Sequence, residues 1–92
     1  MPRGRDLILN ALDNLNEDEF KRFKTKLLSV PLKPGYCHIP RGILQVIDRV
    51  DLTDKIVSYY LENYGMELTG QVLQDIGMRE EAVRLRQAAG AV

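Results

Sequence analysis

The stretch Phe20–Leu28, FKRFKTKLL, leaves the chain little choice of fold. Phe20, Phe23 and Leu27 recur at i, i+3 and i+7, the spacing of one face of an α-helix and not that of a strand. Lys21, Arg22, Lys24 and Lys26 fan out from the flanks of that face, and no acid within the stretch can neutralise them by i,i+3 or i,i+4 pairing. The segment can therefore anchor itself through two phenylalanines while presenting four cations. In most helices such a run is a solvated face. The sharper reading is a docking surface for an acidic partner, and the charge distribution along the rest of the chain favours it.

Net charge is zero, but it is laid out in blocks. Residues 1–19 carry a net of −3, residues 20–49 a net of +6, residues 50–75 a net of −4, and the tail +1. A neutral chain with blocks of opposite sign can attract copies of itself, whereas a uniformly basic domain would point to nucleic acid. The acids at the start of the second helix and the cations near its end follow the helix dipole in part, but the dipole does not require four cations in six residues.

The remaining periodicity is helical throughout. Leu7, Ile8, Ala11, Leu12 and Leu15 make the inner side of a first helix over 4–14, with Asp6, Asn10 and Asp13 on the outer side. Asn16 and Glu19 have the spacing of a capping box for the second helix. Residues 29–40, with Pro31, Pro34, Gly35 and Pro40, read as a long loop, and Pro40 is placed to begin a short third helix over Arg41–Ile47. Asp51 reads as the cap of a fourth helix ending at Gly65. A fifth follows over 67–76, stopped by Gly77, and a sixth over 79–89. The expected architecture is an all-α bundle of six short helices in one domain over residues 1–92, with residues from about 87 onward frayed or linking.

Several function classes are excluded by what the chain lacks. Cys37-His38 is the one Cys/His cluster, against about four ligands for a zinc site. No G-x-G-x-x-G, Walker loop or G-x-S-x-G occurs, and the carboxylates fall on outward helix positions where nothing tunes them for proton transfer. Neither an enzyme nor a cofactor or metal is expected. The basic helix and Tyr36 could meet a nucleic acid, but the acidic first and fourth helices would repel it, so none is expected as a partner. No apolar run approaches a membrane span, and the N-terminus is too interrupted by acids and asparagines to be a signal peptide. A single cysteine without such a signal fits a reducing cytosolic or nuclear setting.

The segments LILNALDNL, FKRFKTKLLSVPL, IPRGILQVID, DLTDKIVSYYLENYG and ELTGQVLQDIG, in this order and spacing, resemble a pyrin domain, a branch of the death-domain superfamily. The resemblance covers nearly the whole chain and implies a six-helix Greek-key bundle with a long loop between the second and third helices. It implies homotypic binding: self-association into filaments, nucleation on pyrin domains of NOD-like or AIM-like sensors, and relay toward inflammatory caspases through a caspase-recruitment domain that this sequence does not contain. The alternative within the family is a pyrin-only regulator that caps sensors or adaptors without relaying the signal. The contact that the resemblance implies pairs a basic surface, here Lys21, Arg22, Lys26 and Arg41, with an acidic one, here Asp6, Asp13, Asp48 and Asp54 with Asp51 nearby. Three positions depart from the adaptor pattern. Asn10 stands in place of an acid, His38 in place of a cation, and Thr25 in place of a larger side chain. The expectation is a weaker or more salt-sensitive self-interface.

Overall fold

The structure, a computed structural model, describes residues 4–90. Among them it is all-α: α1 Gly4–Asp13, α2 Glu17–Leu27, α3 Arg41–Gln45, α4 Arg49–Asp75 and α5 Arg79–Gly90. Six helical segments are present as five elements, because hydrogen bonding runs on through α4 across a break. Leu61 has φ 66° and ψ 170°, which divides α4 into limbs over 49–60 and 62–75. These limbs correspond to the expected fourth and fifth helices.

The break corrects two boundaries. Gly65 does not end a helix; it lies buried in the second limb, where an added Cβ would meet Ile56 Cγ2 at 3.0 Å and Ile8 Cδ1 at 3.4 Å. It is a spacer that lets α1 and both limbs of α4 converge. Asp51 is not the cap either: Asp48 is, and its Oδ1 accepts from the Asp51 amide at 2.8 Å. Gly77 does stop a helix, at φ 89°, with Gly77 N–H donating to Gln74 and Met78 N–H to Leu73, the paired bonds of a Schellman end. The third helix stops at Gln45, and α5 stays helical through Gly90; residues 91–92 lie outside the described residues.

The core is one cluster. Ile8, Leu12 and Leu15 from the α1 side meet Phe20, Phe23 and Leu27 of α2, Leu52, Ile56 and Tyr60 of the first α4 limb, and Leu68, Val72 and Leu73 of the second. Ala82 and Leu85 close it from α5. The 29–40 segment, read as a loop, also feeds the core: Val30 and Ile39 are fully buried. It is fastened along its length. Tyr60 Oη donates to the Cys37 carbonyl at 2.8 Å, a His38 ring nitrogen donates to the Val30 carbonyl at 2.8 Å, and Lys33 N–H donates to Tyr64 Oη at 2.9 Å. Tyr36 and Tyr64 pack with their rings tilted by 40° and 4.5 Å between ring centroids, so the tyrosines pack the loop rather than form an open platform.

Leu61 occupies a backbone region that strains any side chain and is 67% exposed, so its own packing offsets little of the strain. Leu61→Gly is expected to stabilise the domain by about 1 kcal/mol, relief of roughly 1–3 kcal/mol less the entropy of an added glycine. Thermal unfolding would show this as a rise of about 4–8 °C.

Candidate functional site

Two surfaces of opposite sign are built on different elements. The capping box starts the first of them: Asn16 Oδ1 accepts from Glu19 N–H and Glu19 Oε1 accepts from Asn16 N–H, both at 2.8 Å, which fixes where α2 begins and so which way its cations face. Lys21, Arg22 and Arg41 are exposed, and Lys26 is half-buried. Lys21, Arg22, Thr25 and Lys26 line a shallow hollow against Asp75 and Ile76. Lys21 and Thr25 also line a second one with Lys24, Leu28, Arg41 and Leu44, between α2 and α3. The sequence-derived basic residues therefore form one continuous surface with an apolar floor. Lys24, one of the four cations read from the sequence but outside the set that the resemblance implies, also lines it; its ammonium lies 4.8 Å from the centre of the Phe20 ring.

The acidic surface runs along the seam of α1 and the first limb of α4. Arg5 Nε donates to Asp54 Oδ1 at 2.6 Å and Arg5 lies 4.0 Å from Asp6, which brings these two acids to one end of the seam. Hydrogen bonding to Asp54, and then its charge, raises the Arg5 guanidinium above its ordinary value. At the other end, Arg49 Nε donates to the Leu12 carbonyl at 3.0 Å and Arg49 Nη2 to the Leu15 carbonyl at 2.8 Å. The end of α1, with Asp13, is thereby tied to the start of α4, with Asp48. Asp48, Asp51 and Asp54 follow at i, i+3 and i+6, so they share one ridge. All five acids are exposed. Val46 and Val50, at 88% and 47% exposure, stand beside Asp48 and add an apolar margin that hydrophobic periodicity did not reveal.

Arg49 changes the charge account. Counted with the basic block from sequence, it is turned inward, with its guanidinium 4.6 Å from the Phe20 ring and 3.5 Å from Glu17. No sequence signal marked it, because its partners are backbone carbonyls. The departing positions are also placed. Asn10 lines a hollow between α1 and α5 with Asn14 and Glu81. His38 is occupied by the Val30 carbonyl. Thr25 Oγ1 donates back to the Lys21 carbonyl at 3.0 Å, leaving the floor of the basic hollows open.

Among the described residues no group of three or more His, Cys, Asp or Glu side chains is arranged to hold a metal, and no helix is long and apolar enough to cross a membrane. What the site offers is exposed charge of both signs displayed on helices.

Residues 7–83 match the PAAD/DAPIN/Pyrin domain family. The apoptosis-associated speck-like protein containing a CARD is 64% identical in Bos taurus over 90% of this chain, and 57% identical in Mus musculus over 100% of it. The matched regions are 43% and 49% of those relatives, so the chain spans less than half of their length. Human pyrin domain-containing protein 1 is 53% identical over 97% of this chain and is itself covered completely. The solution structure of the pyrin domain of human Pyrin superposes with a TM-score of 0.89 at 34% identity, over 97% of this chain and 99% of that one. On the family match and on the fold, this chain belongs to the pyrin domains, which are interaction modules with a death-domain fold rather than catalysts.

Proposed function

We propose that this chain assembles with copies of itself and with other pyrin domains by docking the Lys21/Arg22/Lys26/Arg41 surface of one molecule on the Asp6/Asp13/Asp48/Asp51/Asp54 surface of the next, and that it serves as the filament-forming part of an inflammasome adaptor. The observation that carries this is the placement of the two charge sets on separate rigid elements of one domain. A contact between two different patches need not close on itself, so it propagates. Exposed ion pairs each contribute only about 0–1 kcal/mol, so a single contact is weak. A subunit touching several neighbours adds such contacts, and assembly becomes cooperative and dependent on a seed. In this reading sensor pyrin domains of the NOD-like or AIM-like kind supply the seed. Inflammatory caspases are in this reading reached through a CARD, a domain that the name of the apoptosis-associated relative includes.

The test is electron microscopy and light scattering of the domain at low and high salt, with Lys26→Glu beside the parent. Filaments in the parent that vanish in Lys26→Glu while the helical circular dichroism stays unchanged support the reading. Filaments that persist in the variant overturn it. Reversal at Asp48 is a poor partner experiment, since that carboxylate caps α4 and its loss costs about 1 kcal/mol of fold stability. Because the charges that would pair lie at or near the surface and Asn10 carries none, assembly is expected to weaken steeply between about 0.05 M and 0.5 M salt, as the contracting Debye length screens each pair.

A second reading, in which the chain caps sensors or adaptors without relaying a signal, rests on the 53% identity to human pyrin domain-containing protein 1. A capping domain would bind seeds and stop them growing, whereas an adaptor would be drawn into filaments by the same seeds.

A further inference from the structure

Each of the two charged surfaces carries a charge of the opposite sign from its own chain. On the acidic surface Arg5 donates to Asp54 at 2.6 Å and lies 4.0 Å from Asp6. On the basic surface Asp75, from the last turn of α4, lies 3.9 Å from Lys26 and lines the same hollow as Lys21 and Arg22. Both pairs lie at the surface rather than in the core. Arg5 and Asp54 are 36% and 55% exposed, and Lys26 and Asp75 38% and 29%. The helices are held by the buried core and, at the other end of the α1–α4 seam, the Arg49 bonds to backbone carbonyls.

We infer that Arg5 and Asp75 are internal counter-ions that occupy the docking charges of the free chain, Arg5 standing in for a neighbour's cation at Asp54 and Asp75 for a neighbour's acid at Lys26. Docking exchanges an intramolecular pair for an intermolecular one at each surface. The chain is thereby held back from assembling at low concentration until a seed presents a denser set of charges. This rests on the assembly reading above and adds a brake to it. The chemistry of the displacing partner follows: a surface carrying several guanidinium or ammonium groups displaces Arg5, and one carrying several carboxylates displaces Asp75.

The two members of each pair should act in opposite directions, which separates a counter-ion from a structural salt bridge. Removing Arg5 frees an acceptor, whereas removing Asp54 destroys it, although both break the same bond. Arg5→Gln is expected to lower the critical concentration for assembly by about two- to fivefold, and Asp54→Asn to raise it, the range of an exposed ion pair. Asp75→Asn and Lys26→Gln should divide in the same way. Scattering at fixed salt reads all four, with thermal melts confirming folded monomers. Arg5→Gln and Asp54→Asn shifting assembly in the same direction overturns the inference, as does no change in both Arg5→Gln and Asp75→Asn. The assembly reading fails separately: it falls if Lys26→Glu assembles as the parent does, whatever Arg5→Gln shows. Should the parent need a seed, the same comparison is made with preformed filaments of a related pyrin domain, scoring the rate of incorporation.

Discussion

Asp13→Lys is expected to abolish filament growth while leaving the monomer as stable as the parent or slightly more so. Asp13 is the last residue of α1 and is exposed. It sits at the negative end of the helix dipole, and the last turn of α1 holds no basic residue. A carboxylate there opposes the dipole and a cation complements it, a difference of about 0.3–1 kcal/mol in favour of the variant. Local physics therefore argues against an acid at this position, and no ion pair among the described residues includes it. In the assembly reading, the acid that weakens its own helix here is offset by a contact with a neighbouring molecule. Reversing it places a cation opposite the cations of an incoming basic surface, and like charges in register cost more than an exposed attractive pair returns.

The variant also keeps its own basic surface. It can therefore add to the exposed acidic end of a growing parent assembly but offers nothing to the next copy. Asp13→Lys is expected to stop parent growth at well below one equivalent, read as a fall in scattering plateau and filament length. Simple loss of function would only dilute the parent. A melt lowered by several degrees would show instead that Asp13 supports the fold.

Much of this was legible in the sequence, for physical reasons that differ by element. The α2 helix was readable because its cap, its apolar face and its charge all agree: Asn16 and Glu19 form the box, and Phe20, Phe23 and Leu27 are buried as their spacing predicts. The limbs of α4 were readable as helices but not at their joint. Gly65 has the composition of a stop, whereas the turn is taken at Leu61, a residue type that avoids positive φ, because Gly65 is required for the close approach of Ile8 and Ile56. Val30 and Ile39 were missed because proline and glycine punctuation marks a segment as irregular without saying whether it is buried. The candidate surfaces show the same division. Exposed acids and cations follow from helical spacing, but which charges are already paired within the chain depends on tertiary neighbours. Thus Arg49 counts as surface charge in the sequence and is turned inward in the fold, and Arg5 proves to lie on the acidic seam.

Phe23→Ala is expected to remove the basic surface by a wholly different route. Phe23 is fully buried at the centre of α2, between Phe20 and Leu27 and within the single core. Truncating a buried phenylalanine costs about 3–5 kcal/mol, the lost transfer energy plus the cavity that the helix cannot close. A domain of this size has a total stability of only about 5–14 kcal/mol. The variant should therefore melt at least 12 °C below the parent, at about 4–8 °C per kcal/mol, and at the lower end of that stability range it is largely unfolded at physiological temperature. Lys21→Glu, next to Phe20 in sequence but on the exposed side of the helix, removes a docking charge and should change stability by less than about 0.5 kcal/mol. Both variants are expected to lose assembly, and circular dichroism tells the causes apart. In Phe23→Ala the helical signal declines together with assembly, while in Lys21→Glu it is retained. If Phe23→Ala instead melted with the parent, α2 would not be anchored by its phenylalanines. Its cations would then not be held in one orientation, and a docking mechanism that depends on a rigid charged helix would lose its basis.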